Sequence, residues 1–395
     1  MRISTRTYKF FIATSMTFCI FIMTACENSG SGEPIVASSS TPEDEISRPT
    51  AWVVDASESE GPESLILHGD PLMIFPSEVL QMTDLKELDL EGNDLIEIPS
   101  AIGRLEKLEK LVLSYNLFGE LPPDIGQLKN LKTLVLSNTP FLSELPPEIG
   151  LLESLEELNL EESALRELPP EIGQLRNLRI LNLRDCQLRA LPPEIGQLEN
   201  LETLIISENL FSKFPIEVTQ LNRLRELDLA SNQITDMPPE IAGLESLEIL
   251  LADNNSLQEV PAEIGSLLNL KVLDLTAIDA RTVPPEIGQL TQLRSMTIAW
   301  SMLSELPPEI GQLTNLEQLN LSGDLLTTLP AEIGELTRLK SLDVSSNMIE
   351  VLPPELGRLQ ALESLILYGN FVNAVPPEIC QIPGLLIDPA SLCES

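Results

Sequence analysis

Leu178-Arg-Ile-Leu181-Asn-Leu183-Arg-Asp-Cys186-Gln-Leu188-Arg-Ala-Leu191-Pro-Pro-Glu-Ile195-Gly-Gln-Leu198-Glu-Asn200 is one 23-residue unit, and most of the chain is built from variants of it. Units start at residues 62, 85, 108, 131, 155, 178, 201, 224, 247, 270, 293, 316, 339 and 362; only the one at 131 is longer, with 24 residues. A fixed period of this size marks stacked supersecondary units, none of which can bury its apolar side alone.

Each part of the unit has a physical task. The Leu-x-x-Leu-x-Leu opening ends in period-two alternation, which predicts a short strand with leucines inward and the intervening positions outward. One strand per unit, always in the same direction, can only build a parallel sheet. The ninth position is Asn in seven units (Asn93, Asn116, Asn209, Asn232, Asn255, Asn347, Asn370), where an amide can satisfy turn and neighbouring backbone groups. Asp70, Thr139, Ser163, Cys186, Ser301 and Asp324 are small polar stand-ins there, and Ile278 is not, so the unit at 270 is expected to have the least satisfied turn. The return segment, Leu-Pro-Pro-Glu-Ile-Gly-x-Leu, predicts a short helix. Proline at its first position loses no needed N–H, and the glutamate meets the positive end of the dipole.

The repeat explains an unusual composition. Of 395 residues 74 are leucine, none before Leu65, and only 15 are aromatic. The 31 prolines would suggest a linker in a polar chain, but 23 of them stand at helix starts. Acidic residues outnumber basic ones 61 to 24, a formal charge of −37, which repels nucleic-acid phosphates and anionic lipid head groups. A single histidine, His68, and five cysteines leave too few groups for a His-based triad or a zinc cluster. Binding is therefore expected rather than catalysis, with no cofactor and no metal; His68 reads as a surface residue.

Residues 62–384 resemble a leucine-rich repeat domain of the 23-residue class shared by bacterial proteins, plant intracellular Ras-group repeats and Ras-scaffold proteins. The resemblance implies an α/β right-handed solenoid with a parallel concave sheet and short convex helices. Fourteen strands at ~4.8 Å give a sheet roughly 65 Å long.

Residues 1–25 read as an export signal: Arg2, Arg6 and Lys9 precede an apolar stretch from Phe10 to Met23, too short to span a bilayer. Met23-Thr24-Ala25-Cys26 resembles a bacterial lipobox, which implies cleavage before Cys26 and its acylation. The alternative is an ordinary signal cut after Ala25. Residues 26–50 follow as an acidic tether, 51–61 as an N-terminal cap and 385–395 as a C-terminal cap. Glu27 is not the Asp that the resemblance associates with inner-membrane retention, so the outer membrane, facing the periplasm or the surface, is the expected location. Cys380 and Cys393 are expected either to form a disulfide that staples the last unit or to remain two thiols.

Three surfaces emerge from reading one position across neighbouring units. The second position alternates in sign from Glu63 to Glu363 with one fault, at Lys271 and Arg294, and predicts an ion-pair ladder. Glu156, Glu157, Glu161, Glu162, Asp185 and Glu208 form an acidic region. Trp300, Met302, Leu325, Met348, Tyr368 and Phe371 collect scarce large apolar groups in four consecutive units, a candidate binding rim for a protein or peptide on the concave face. The competing reading makes the tenth-position members half-buried filler. A lipid-anchored envelope interaction module is the leading functional expectation. Its rivals are an adhesin for host or matrix surfaces and, were the export signal unused, an intracellular signalling scaffold.

Overall fold

In a computed structural model, residues 63–68 and 71–393 are described. The alternating end of every unit becomes a three-residue strand, from Ser64–Ile66 to Ser364–Ile366, and all lie in one parallel sheet in chain order. The middle residue of these strands points inward, so Leu88, Leu111, Leu134 and, in the strand Ser295–Thr297, Met296 are fully buried. Register follows the repeat: Ser64 faces Glu87, and Leu65 faces Leu88. Fifteen strands form the sheet rather than fourteen, because Leu386–Asp388 of the C-terminal cap pairs with Ser364–Ile366.

The longer unit leaves the register intact, with Thr133 opposite Glu157. Its extra residue is absorbed in the turn after the strand. There Thr139 Oγ1 donates to the Leu136 carbonyl at 2.7 Å, Leu142 stays buried, and Phe141 is turned out to half exposure.

After a three-residue turn at Val79–Gln81, the return segments are 3₁₀ turns of five residues, such as Pro123–Gln127 and Pro170–Gln174, and among the described residues only the four-residue Pro377–Cys380 is α-helical. In so short a segment an i→i+3 bond closes at once. The first proline is extended (Pro169, φ −67°, ψ 145°) and the second sits at the first helical position. The glutamate makes no capping hydrogen bond. Ile172 N–H donates to Pro169 O at 3.0 Å, and Leu175 N–H donates to Ile172 O at 3.2 Å. That spacing places Ile172 and Leu175 on one side, both fully buried. The glycine between them has a stacking reason: a Cβ on Gly173 would stand 2.5 Å from the Glu194 carbonyl of the next turn.

Ninth-position asparagines act as staples between units. Asn116 Nδ2 donates to the Leu90 carbonyl one unit earlier and to its own Leu113 carbonyl, both at 2.9 Å, while its Oδ1 accepts the Leu95 N–H at 2.9 Å. Cys186 imitates this with its thiol on the Leu160 carbonyl at 3.1 Å, and burial pushes that thiol up to about 11. Ile278 has no acceptor to offer, and its own N–H is met by Ser301 Oγ at 3.2 Å. Buried side-chain atoms without a partner lie in other units. Among the described residues those atoms are Asp324 Oδ2 and Ser345 Oγ. Asp324 accepts the Ser301 and Leu303 N–H groups at 3.0 and 3.2 Å through Oδ1, but its second oxygen stands where asparagine has donors.

Buried Phe75, Val79 and Leu80 close the N-terminal end of the core, and Ile379 and Ile382 the other. Cys380 and Cys393 are joined by a disulfide with Cα atoms 5.8 Å apart, and Leu392 packs beside them against the core. The signal, Cys26, the tether and the proposed cap at 51–61 lie outside the described residues.

Candidate functional site

The rim that follows the strands is shaped by its backbone. The eighth position of every described unit from Gly92 onward has positive φ, a conformation that suits Gly, Asn and Asp. Gly92, Gly323 and Gly369 fit that rule, whereas Tyr115 (φ 55°) and Trp300 (φ 53°) are bulky exceptions held there by the repeat. Trp300 N–H donates to Ser322 O at 2.8 Å, so its backbone is tied to the next unit. The indole lies over Gly323, where an added Cβ would come within 2.6 Å of the ring.

Around Trp300 the tenth positions of neighbouring units line up. Trp300 is 65% exposed, Phe371 61%, Tyr368 50%, and Leu325 and Met348 47% each, while Met302 is only partly exposed. The tenth-position backbone is fixed by bonds from Leu325 N–H to Leu303 O, Met348 N–H to Leu326 O and Phe371 N–H to Ile349 O, each 2.9 Å. A row of large apolar side chains thus stands in water on a rigid backbone. The same units bury Leu303, Leu326 and Ile349 one position later, so core packing does not require the exposed row.

The acidic region is partly neutralised from within. Arg184 reaches Glu161 at 3.3 Å and also pairs with Glu208. The carboxyls of Glu162 and Asp185 are raised above their ordinary range, first by burial and then by neighbouring carboxylates. The second-position ladder forms ion pairs at Lys86–Glu63 (2.7 Å), Lys132–Glu109 (2.6 Å), Arg179–Glu202 (3.0 Å), Lys271–Glu248 (2.5 Å) and Lys340–Glu317 (2.6 Å). Arg294, at the fault in the alternation, pairs with no carboxylate among the described residues.

Two further features escaped the sequence reading. Phe141, turned out by the extra residue, faces Ile96, Gly119 and Leu145 across an open groove of about 880 Å³ rimmed by Glu97, Glu120 and Glu144. His68 Nε2 lies 2.8 Å from Asp89 Oδ1, with Glu91 beside them. The signal for the second was present in the repeat, since His68 and Glu91 both hold the seventh position of adjacent units.

Comparison with known proteins agrees with the repeat. A model described as leucine-rich repeat region matches residues 170–254, 207–303, 249–347 and 270–385, and one described as Leucine Rich Repeat matches 84–105, 107–128 and 130–152. No curated protein matches the chain. Among solved structures, a leucine-rich repeat protein of Leptospira interrogans is 36% identical with a TM-score of 0.71, over 82% of this chain and 89% of that one. The leucine-rich repeat ectodomain of the Arabidopsis thaliana receptor kinase GASSHO1/SCHENGEN3, solved with CASPARIAN STRIP INTEGRITY FACTOR 2, is 29% identical with a TM-score of 0.53, over 82% of this chain and 46% of that one. An internalin of Listeria monocytogenes shares the fold at 21% identity and a TM-score of 0.68, over 78% of this chain and 88% of that one. With the repeat matched over more than half of its length and laid out as one parallel solenoid, the chain belongs to the leucine-rich repeat family.

Proposed function

We propose that this chain is an exported, lipid-anchored envelope protein that binds a protein or peptide partner through the ridge from Trp300 to Phe371. The observation that carries the reading is the exposed row itself: Trp300, Leu325, Met348, Tyr368 and Phe371 stand in water across four neighbouring units. Contiguous exposed apolar groups on a rigid frame are the usual anchors of protein interfaces, and Trp and Tyr are enriched among residues that dominate binding energy. Holding Trp300 at positive φ costs of order 1–2 kcal/mol, a strain the fold itself does not need because glycine fills the same position at 323 and 369. The Arabidopsis relative was solved in complex with CASPARIAN STRIP INTEGRITY FACTOR 2, so a related solenoid holds a partner, which supports this reading.

Strain gives the test its sharpness. Trp300→Gly relieves the backbone while deleting the indole, and Phe371→Ser removes the other end of the ridge. The double variant should keep the wild-type melting temperature to within about 3 °C. It should also lose the partner that the wild-type chain retains from envelope extract. Capture of the same partner by the double variant would place binding elsewhere, and loss of folding would make the ridge part of the core.

A further inference from the structure

At the far end of the sheet from the ridge, the chain's single histidine meets two carboxylates. His68 holds the seventh position of the first unit, and Glu91 holds the same position one unit on. Asp89 ends the strand Glu87–Asp89 and is the Cα partner of Ile66. Leu67 N–H donates to the Asp89 carbonyl at 2.8 Å, which ties the His68 backbone to the neighbouring unit. We propose that His68, Asp89 and Glu91 form a binding site for a divalent transition-metal ion, with Zn²⁺ the best fit.

Geometry, charge and donor chemistry agree on this. One ligand atom from each residue lies within 4.8 Å of the other two, and His68 Nε2 and Asp89 Oδ1 are 2.8 Å apart. Zinc bonds of ~2.0–2.2 Å in a tetrahedron set ligand atoms about 3.4 Å apart, so small side-chain rotations complete the set. Neither carboxylate has a lysine or arginine partner among the described residues. The nearby ammonium of Lys110 is engaged by Glu87 at 2.8 Å. Two carboxylates that no lysine or arginine engages, beside an imidazole that ligates metals through an unprotonated ring nitrogen, carry the charge a divalent cation cancels. Asp89 Oδ1 also accepts the Glu91 N–H at 3.1 Å, which orients the carboxylate as outer hydrogen bonds do around bound metals. An imidazole with two carboxylates favours zinc and its first-row neighbours, whereas calcium and magnesium prefer all-oxygen sets. His68 is half exposed, so the fourth position faces solvent and is open to water or to an acidic group of a second molecule.

The experiment is calorimetric titration of the full chain, freed of metal, with Zn²⁺ and separately with Ca²⁺. His68→Ala, Asp89→Asn and Glu91→Gln are titrated alongside. One Zn²⁺ per chain should bind at this site with micromolar affinity. His68→Ala should weaken that event at least ten-fold while leaving the Ca²⁺ isotherm unchanged, and each carboxylate variant should weaken it as well. Undiminished zinc affinity in His68→Ala would overturn the proposal by assigning the binding to the acidic surface at large. An unchanged zinc isotherm in Glu91→Gln would reduce the cluster to a simple His–Asp ion pair and overturn it too.

Discussion

Asp324 shows how far one residue can depart from its repeat. Asparagine at the ninth position donates to two or three carbonyls and accepts an N–H, but an ionised Asp324 can only accept, and its Oδ2 is buried without a partner. Burial pushes its carboxyl up from the ordinary range to about 7, against the pull of the Leu303 and Ser301 N–H groups. A protonated Asp324 regains a donor for a carbonyl such as Ile298 O, the counterpart of the Leu321 O that Asn347 Nδ2 reaches at 2.6 Å. Its folded pKa lies above the unfolded value of about 3.9, so its contribution is fully present below about pH 4 and is lost as pH rises through about 7. Asp324→Asn should therefore be more stable than the wild type by about 2–4 kcal/mol at pH 8, with the gap closing near pH 4. Denaturant melts across that range check this, and parallel curves for the two proteins would remove the argument.

At the scale of the element, the ion-pair ladder and the stacked turns do different work. Lys132 and Glu109 meet at 2.6 Å with both side chains about half exposed. The contact holds Lys132 above and Glu109 below its ordinary pKa. Solvent screens exposed pairs of this kind so that each adds little, and their alternation mainly penalises a slipped register. Lys132→Glu, which sets three carboxylates in a row with Glu109 and Glu156, should lower the melting temperature by only a few degrees, and a drop above about 10 °C would show the ladder to be a principal source of stability. The turns tolerate far less, because the carbonyl stacked on Gly173 leaves no room for even a methyl group.

For the whole molecule, a solenoid of thin aliphatic layers accounts for 74 leucines and few aromatics, since a stack never needs a thick core. Much of the −37 charge stays on the surface. No helix among the described residues is long and apolar enough to cross a membrane. Membrane attachment in the proposed function rests on acylation at Cys26. Cys26→Ala should yield a protein without the mass of the lipid and shift it out of the membrane fraction on cell fractionation. Unchanged mass and fractionation would defeat the lipoprotein reading.

Sequence alone was sufficient for the strands and their staples. The 23-residue period dictated a parallel sheet, the parity of its strands and the staple at the ninth position, because each depends on contacts recurring along the chain. The rest was decided by the tertiary structure. Leu386–Asp388 carries no unit pattern and becomes a strand because the last repeat offers an open edge of backbone donors and acceptors. The return segments close as 3₁₀ turns within the stack, where a neighbouring carbonyl sits over glycines such as Gly173. His68 and Asp89, 21 residues apart, and the stranded oxygen of Asp324 likewise follow from stacking. Periodicity assigns each side chain a face, but only the packing of one unit on the next sets the distances between side chains of different units.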